Sequence, residues 1–213
     1  MGATVVSAAV EGDLDEVVLR RIADHIGFSV GSVYGRRGKP HLLQTLAGYN
    51  NAAQFAPWIV MLDLDRDYEC APKGLTAWLP QRAENMFCRV AVRAIEAWLL
   101  ADRDRIAAML GISARRIPTE PDSLDDPKRH LVDLARKSSR VEVKASIVPR
   151  RGSGRAVGPS YNAKMIEFVT AGRWRINTAR YSSASLQRTL DRLQELASEN
   201  SVRPSRLRST PQP

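Results

Sequence analysis

Acidic residues at the end of an apolar run are the first feature of this sequence that indicates chemistry. Residues 58–69 read WIVMLDLDRDYE, in which aspartates stand at alternate positions, Asp63, Asp65 and Asp67. Side chains two residues apart on an extended chain point to the same side, so Asp63 and Asp65 are expected to share a face. Because two carboxylates a few ångströms apart repel each other, this pattern predicts a cation bound between them.

The elements that position these acids alternate between strand and helix patterns over the N-terminal half of the chain. Apolar, β-branched runs predict four buried strands, and helical spacing predicts helices between and after them. This order of short buried strands predicts an α/β fold, a parallel four-stranded sheet flanked by helices, with a mostly helical C-terminal extension. The predicted strands are 4–10, 28–35, 56–64 and 86–93, and the predicted helices are 13–27, 40–49 and 95–112.

Four acids fall at the ends of these predicted strands. Glu11 follows the first strand, Asp63 and Asp65 end the third, and Glu96 follows the fourth. Since ligands of parallel sheets bind at the carboxyl ends of the strands, these four side chains are expected at one edge. Asp67 lies beyond the third strand and is a candidate metal ligand of lower rank than the other acids. Glu96 also stands at a helix start, where an acid favours the helix dipole, so a structural role for Glu96 stays open.

Mg²⁺ or Mn²⁺ is the cofactor that this set of donors predicts. Magnesium prefers carboxylate oxygens and keeps several waters and substrate phosphates in its coordination shell. A glutamate and an Asp-x-Asp pair supply few ligands, which leaves room for the phosphate of a substrate. Such an ion would stabilise charge in a phosphoryl transition state and help to generate an attacking hydroxide.

Positive charge is concentrated in the C-terminal third of the chain. The net charge is +9, yet residues 1–139 hold 18 Lys and Arg against 18 Asp and Glu, whereas residues 140–213 hold 14 against five. A basic region beside a neutral, acid-bearing one predicts a polyanionic partner, namely nucleic acid. An ordinary surface with a basic tail would have the same composition, so that interpretation stays open.

Two groups of basic residues are candidates for gripping phosphates. One group follows the second predicted strand. The other belongs to a Gly- and Ser-rich loop, whose tyrosine would be available to stack on a base, although an ordinary solvated loop is the alternative. The candidate nucleic-acid-binding residues are Arg36, Arg37 and Lys39 in the first group, and Arg150, Arg151, Arg155, Tyr161 and Lys164 in the second.

Composition and length narrow the class of protein. The chain has 213 residues, of which 44% are hydrophobic. No stretch approaches the roughly 20 apolar residues that span a bilayer, the N-terminus lacks a signal-peptide pattern, and two cysteines suit a reducing compartment. We therefore expect a cytoplasmic protein with no membrane partner. The predicted organisation is a catalytic core over 1–112, a helical, basic extension packed on it over 113–198, and a disordered tail over 199–213.

Glu11-Gly12 after the first strand and Asp63-x-Asp65 at the end of the third resemble the signature of Toprim domains, which occur in topoisomerases, primases and several nucleases. The Toprim-like stretch covers residues 3–110. Over most of the chain, the segments EG, LDLDRD, AIEAWLLADR and VGPSYNAKMIEFV are similar to a group of uncharacterised bacterial Toprim-like proteins. Members of that group often occur beside an ATPase of the structural-maintenance or ABC class, a setting that suggests phage defence.

The resemblance implies a metal-dependent nuclease. Glu11 would be a metal ligand or general acid/base, Asp63 and Asp65 would hold the ion, and Glu96 would bind a second ion. Water would cleave phosphodiester bonds of DNA or RNA, since we expect no separate domain carrying the nucleophilic tyrosine of topoisomerases. The expected partners are nucleic acid, an ATPase subunit and further copies of the chain in a homo-oligomer, and the expected role is that of an anti-phage defence effector.

Two other functions fit parts of the same pattern. The chain could be a non-catalytic subunit that binds nucleic acid or an ATPase and uses its acids only to hold a structural ion. An Asp-x-Asp after an apolar strand also opens haloacid-dehalogenase-type phosphatases, in which the first aspartate is the nucleophile. In those enzymes the motif lies at the first strand, and a small or β-branched residue is required two positions after the second aspartate. Here the motif lies on the third predicted strand, and Asp67 occupies that place.

Overall fold

Four parallel strands form the sheet of this protein. A computed structural model describes the backbone of residues 5–202 and the side chains of residues 5–198. The predicted parallel four-stranded α/β fold is confirmed, and the strand ends lie within a few residues of those predicted. The strands are β1 (Val5–Val10), β2 (Ser29–Gly35), β3 (Trp58–Asp63) and β4 (Met86–Ala91), in the order β2-β1-β3-β4.

Helices cover both faces of the sheet, as strands that are apolar on both sides require. Helix α1 (Asp13–Ile26) packs on one face, and α2 (Lys39–Ala52) and α3 (Ala71–Trp78) pack on the other. Alternate residues of the strands point to opposite faces. On the α1 face these are Val6, Ala8, Val10, Ile59 and Met61, and on the α2 face they are Ala9, Trp58, Val60 and Leu62.

The connections of the sheet reverse direction between β1 and β3. From β1 the chain passes through α1 on one face to β2, and from β2 it returns through α2 on the other face to β3. Where connections leave neighbouring parallel strands in opposite directions, a crevice opens at the carboxyl ends of those strands. Glu11, directly after β1, and Asp63, the last residue of β3, lie at this point.

The prediction of one helix over 95–112 is wrong, because two helices occupy this segment, α4 (Ile95–Leu100) and α5 (Arg103–Leu110). Asp102 lies at the break with a non-helical backbone (φ −86°, ψ 70°) and a fully buried side chain. Its carboxylate accepts hydrogen bonds from the Arg175 backbone N–H (2.7 Å) and from Arg175 Nη2 (2.6 Å). Breaking the helix lets a buried acid meet a partner that is distant in sequence.

The C-terminal half of the chain is helical and packs on the α1 face of the sheet. Its helices are α6 (Pro127–Arg136), α7 (Val141–Ile147), α8 (Tyr161–Thr170), α9 (Ile176–Ala179) and α10 (Ala184–Val202). Helices α8 and α10 contact α1, α6 contacts α4, and α10 also contacts β4. Two tryptophans link these layers, because the Trp174 indole N–H donates to the Trp98 carbonyl (3.1 Å) and the Trp98 indole N–H donates to Ser185 Oγ (2.7 Å).

The C-terminal end departs from the predicted tail. Helix α10 reaches Val202, so residues 199–202 continue a helix where the sequence analysis placed a disordered segment. The rest of that predicted tail, residues 203–213, lies outside the described residues. Among the helices of the described part, none combines the length and the apolarity needed to cross a membrane.

We expect Asp102→Ala to lower the free energy of unfolding by about 1–3 kcal/mol, because the Arg175 N–H groups would lose a buried acceptor. Asp104→Ala is the matched control. Asp104 faces the same guanidinium (3.5 Å) from an exposed position, so its removal should cost less than about 1 kcal/mol. Urea denaturation of the parent and both variants measures the difference, and equal losses would show that burial of Asp102 is unimportant.

Candidate active site

Asp63 joins three elements at the carboxyl edge of the sheet. As the last residue of β3, it lies between the end of β1 and the start of α4. Its backbone N–H donates to Glu11 Oε1 (2.8 Å), and its Oδ1 accepts from the Ile95 N–H (2.9 Å). Glu11 and Asp63, both candidates from the sequence, are therefore brought together, and each keeps a carboxylate oxygen outside these two bonds.

Glu96 is buried at the start of α4, with 2% of its surface exposed. Its Oε1 accepts a hydrogen bond from the Tyr161 hydroxyl (3.0 Å) and lies 3.6 Å from Lys128 Nζ. Its charge also acts on Asp63 and raises the pKa of that carboxyl. The structure thus places Glu96 beside the other acids, as the strand order predicted, and gives it two partners from the C-terminal helices that no sequence pattern indicated.

Asp15 is a further acid of this cluster, and the sequence analysis missed it. It lies in the first turn of α1 with 8% of its surface exposed, and it interacts electrostatically with Glu11 and Glu96. A Cβ on Gly12 would lie 3.3 Å from Asp15 Oδ2, so the glycine leaves room for this carboxylate. The spacing Glu11-Gly12-x-x-Asp15 was the available signal. We call Glu11, Asp15, Asp63 and Glu96 the inner acids.

Burial and mutual repulsion make ionisation of Glu11, Asp15 and Asp63 unfavourable. Burial raises the pKa of Glu11 to about 7, although the Asp63 N–H and Lys39 act in the opposite direction. Burial, followed by the charges of Glu11 and Glu96, raises the pKa of Asp15 to about 7. The pKa of Asp63 is raised well above its usual range by burial and then by the other acids. Bound protons or a divalent cation would offset this repulsion.

Lys39 neutralises the outer acids, Asp65 and Asp67. Its ammonium lies 3.0 Å from Asp65 Oδ2 and 2.6 Å from Asp67 Oδ2, and it donates to the Asp63 carbonyl (2.6 Å). Burial lowers the pKa of Lys39, but hydrogen bonds to Asp67 and Asp65 outweigh this effect, so the pKa is raised and the side chain stays charged. The protein itself therefore supplies a cation for the Asp-x-Asp pattern.

The prediction that Asp63 and Asp65 share a face of an extended strand is wrong. Strand β3 ends at Asp63, and Asp65 has a left-handed backbone (φ 49°). The Asp65 side chain is half exposed (51%), whereas Leu64 between the two aspartates is buried. The charge of Asp65 still raises the pKa of Asp63 and of Glu11, so Asp65 lies at the solvent-facing side of the same cluster.

The inner acids fit a hard divalent cation in residue type and charge, but they are not already arranged around one. Within residues 5–198, no three His, Cys, Asp or Glu side chains form a group that could hold a metal ion as they stand. Glu11 and Asp63 each use one oxygen for a backbone N–H and keep the other. Mg²⁺ is often held by one or two carboxylates and keeps several waters, a requirement that these two oxygens meet.

The basic residues that follow β2 do not form an open clamp for phosphates. The Lys39 side chain is 11% exposed and its ammonium is engaged with the outer acids, so the predicted contact with substrate is not available to it. Arg36 has a left-handed backbone (φ 60°) and its guanidinium pairs with Glu16 (3.0 Å). Arg37 is exposed and has no acidic partner within the described part of the chain.

Tyr161 was predicted to stack on a base, and the structure contradicts this. Its ring is buried (1% exposed) and its hydroxyl donates to Glu96. Burial, and then Glu96, raise the pKa of Tyr161 well above its usual range, so the hydroxyl keeps its proton and remains a donor. Lys164 pairs with Glu167 (2.9 Å). The exposed arginines of the preceding loop are Arg150, Arg151 and Arg155.

No protein-family model, curated protein or solved structure matches this chain. The resemblance to Toprim domains therefore stays a prediction. The features of the structure that bear on function are the inner acids, the outer acids with Lys39, and the basic residues nearby.

Asp15→Asn is expected to stabilise the metal-free protein by about 2 kcal/mol or more near pH 8 and to have little effect near pH 4. The pKa of Asp15 is raised from 3.8 to about 7 in the folded state, so the folded protein loses stability as the pH rises from 3.8 to about 7, and the full loss persists at higher pH. Asparagine removes the charge. Thermal melts in EDTA at the two pH values measure the effect. Asp24→Asn, at an exposed position of the same helix, is the control, and equal behaviour of the two variants would contradict the cluster.

Mg²⁺ or Mn²⁺ should raise the melting temperature of the parent protein near neutral pH, because an ion that binds only the folded state stabilises it. Asp63→Asn should abolish this rise, since Asp63 occupies the centre of the inner acids. The Asp24→Asn protein should respond to the ions as the parent does. An unchanged response of Asp63→Asn would remove Asp63 from the set of ligands.

Proposed function

We propose that this protein is a divalent-metal-dependent nuclease that hydrolyses phosphodiester bonds of DNA or RNA. One observation supports this most directly, namely that the inner acids lie together at the carboxyl ends of β1 and β3, where a parallel sheet binds its ligands. Buried carboxylates in such a group favour bound protons or cations. A metal ion held there would be in a position to meet the phosphate of a substrate.

Glu11, Asp15 and Asp63 are the residues that would hold Mg²⁺ or Mn²⁺. Glu96 would contribute from α4, and the outer acids would contribute from the loop after β3. The bound ion would supply Lewis-acid stabilisation of the charge that develops on the scissile phosphate. Two backbone N–H groups, those of Asp63 and Ile95, each hold one oxygen of the Glu11 and Asp63 carboxylates and leave the other oxygen for an ion.

Glu11 is also our candidate for moving a proton. It is less buried than Asp15 and Glu96, so water can reach it. One of its carboxylate oxygens accepts the Asp63 N–H, and the other has no hydrogen bond among the described residues, so that oxygen could accept a proton. In this role Glu11 would accept the proton of the water that attacks the phosphorus.

The proposal includes the cellular setting. Cys70 and Cys88 are free thiols, which suits a reducing cytoplasm. The exposed arginines at positions 150, 151 and 155 supply the positive charge that a nucleic-acid partner would need. An ATPase partner subunit and a role as an anti-phage defence effector derive from the resemblance alone and are proposed with it, and a homo-oligomer is proposed beside them.

A non-catalytic binding subunit is the second candidate function, and one observation favours it. The ammonium of Lys39 satisfies Asp65, Asp67 and the Asp63 carbonyl, so the outer acids have a structural cation without any metal. In this alternative, the acids stabilise the crevice while the basic surface binds nucleic acid or an ATPase.

Glu11→Gln is expected to reduce Mg²⁺- or Mn²⁺-dependent cleavage by about a hundredfold or more, because each 1.36 kcal/mol of lost transition-state stabilisation is about tenfold in rate. The assay measures cleavage of single-stranded DNA, duplex DNA and structured RNA. Glu69→Gln makes the same change at an exposed position and should cleave as the parent does. Ca²⁺, which is less strict in geometry, should permit binding of the substrate and support cleavage poorly.

Absence of cleavage by the parent protein under every divalent metal, with and without an ATPase partner, would refute the nuclease. Binding of nucleic acid that persists in that case would favour the non-catalytic subunit. Cleavage that Glu11→Gln leaves intact would instead mean that the activity lies elsewhere or comes from a contaminant.

A further inference from the structure

Two cavities beside α6 share lining residues. The first, of about 300 Å³, lies between α6 and the loop at residues 149–157, and its basic lining residues are Lys128, Arg129, Arg136 and Arg155. The second, of about 380 Å³, is lined by Arg150, Ser153, Arg155, Val157 and Pro159. Because Arg155 and Val157 line both cavities, the two are adjacent, and we call them together the basic groove.

Charge in the basic groove is strongly unbalanced. Its lining contains five basic residues and one acid, Asp126. That acid is already engaged, because Asp126 Oδ1 accepts a hydrogen bond from the Arg129 backbone N–H (2.8 Å) and caps α6. Arg136 pairs with Asp133. Among the described residues, the guanidinium groups of Arg129, Arg150 and Arg155 have no acidic partner, so the groove lacks the counter-charge that an anionic ligand would supply.

Lys128 links the basic groove to the inner acids. Lys128 lines the groove, and its ammonium lies 3.6 Å from Glu96 Oε1 and 5.5 Å from the centre of the Tyr161 ring. Glu96 in turn is buried beside Asp63 and Asp15. A chain of phosphates that passed through the groove would therefore end next to the carboxylates that are proposed to hold the metal.

The loop that forms one wall of the groove is fixed at its base. Gly158 N–H donates to the Ile147 carbonyl (2.8 Å), and Ser160 N–H donates to the Ser146 carbonyl (3.0 Å). The backbones approach so closely that a Cβ on Gly158 would lie 2.4 Å from the Ser146 carbonyl oxygen. The arginines of this loop are thus held on a closed loop next to α6, which reduces the entropy cost of gathering them around a ligand.

We propose that the basic groove binds the phosphate backbone of a single-stranded polynucleotide and leads it to the inner acids, an inference that rests on the proposed nuclease function for the identity of the substrate. The cavities are small recesses that would take successive phosphate–sugar units and exclude the width of a duplex. Tyr161, whose ring faces the Lys128 ammonium, is buried, so recognition uses phosphates and is independent of base sequence.

The test measures binding without cleavage. Fluorescence anisotropy in EDTA follows a labelled oligothymidylate of about 20 nucleotides, a length that exceeds usual single-strand site sizes. The groove variant combines Arg129→Gln, Arg150→Gln and Arg155→Gln. The control variant removes the same charge from exposed arginines outside the groove, by Arg115→Gln, Arg116→Gln and Arg188→Gln. All six side chains are exposed, so both variants should keep the melting temperature of the parent.

The groove variant should bind at least about tenfold more weakly, and its plot of log affinity against log salt should flatten by about two units, which corresponds to three lost phosphate contacts on a single strand. The control variant should show a clearly smaller loss. A duplex of the same length should bind the parent more weakly than the single strand. Equal losses of affinity in the two triple variants would refute the proposal that the groove binds the polynucleotide. Tighter binding of the duplex would refute the proposed preference for single strands.

The experiment distinguishes failure of the proposed groove binding from failure of the proposed nuclease activity. If the parent cuts nucleic acid while the groove variant binds normally, the proposal that the groove binds the substrate is refuted and the proposal of nuclease activity is supported. If the groove variant loses binding while the parent cuts nothing under any metal, the nuclease is refuted and the groove is supported as a binding surface.

Discussion

The hydrogen bond from the Asp63 N–H to Glu11 Oε1 ties the ends of the two central strands to each other. A second bond, from the Ile95 N–H to Asp63 Oδ1, adds the start of α4 to the same point. Backbone groups thus hold two carboxylates that would otherwise repel each other. The position of Asp15 and Glu96 depends on this arrangement, because α1 begins just after Glu11 and α4 begins at Ile95.

Charge compensation differs between the two sides of the site. The outer acids share the ammonium of Lys39, which lies within 3.0 Å of both. The inner acids are less well neutralised. The ammonium of Lys128 lies 3.6 Å from Glu96, and the pKa values of Glu11 and Asp15 are raised to about 7. This contrast is the physical reason for expecting a ligand cation among the inner acids and not at the rim. Buried carboxylates with strongly raised pKa values are found most often at functional sites.

The C-terminal helices contribute to the site as well as to the core. Tyr161 of α8 donates to Glu96, and Lys128 of α6 approaches the same carboxylate, so both helices are tied to the acids by polar contacts. The pair of the buried Asp102 and the partly exposed Arg175 lies at the break between α4 and α5 and connects it to the start of α9. Through these contacts the basic part of the chain lies against the acidic part, although the two are well separated in sequence.

The parallel order of the strands, the helices on both faces and the position of Glu11, Asp63 and Glu96 at the strand ends could all be predicted from sequence. These features follow from local patterns, because short apolar runs and helical spacing specify elements, and parallel sheets gather the residues after their strands at one edge. The spacing from Glu11 to Asp15 is a local signal of the same kind, because Asp15 lies in the first turn of the helix that follows the first strand.

Only the tertiary structure decided which polar groups meet. The pairing of Lys39 with Asp65 and Asp67, the burial of Tyr161 against Glu96, and the break at Asp102 all depend on partners far away in sequence. A residue pattern states what a side chain can do, whereas the packing of distant elements determines its exposure and its counter-charge. Sequence alone therefore predicted a set of acids, and the fold determined which of them pair closely with a cation of the protein and which lie buried together.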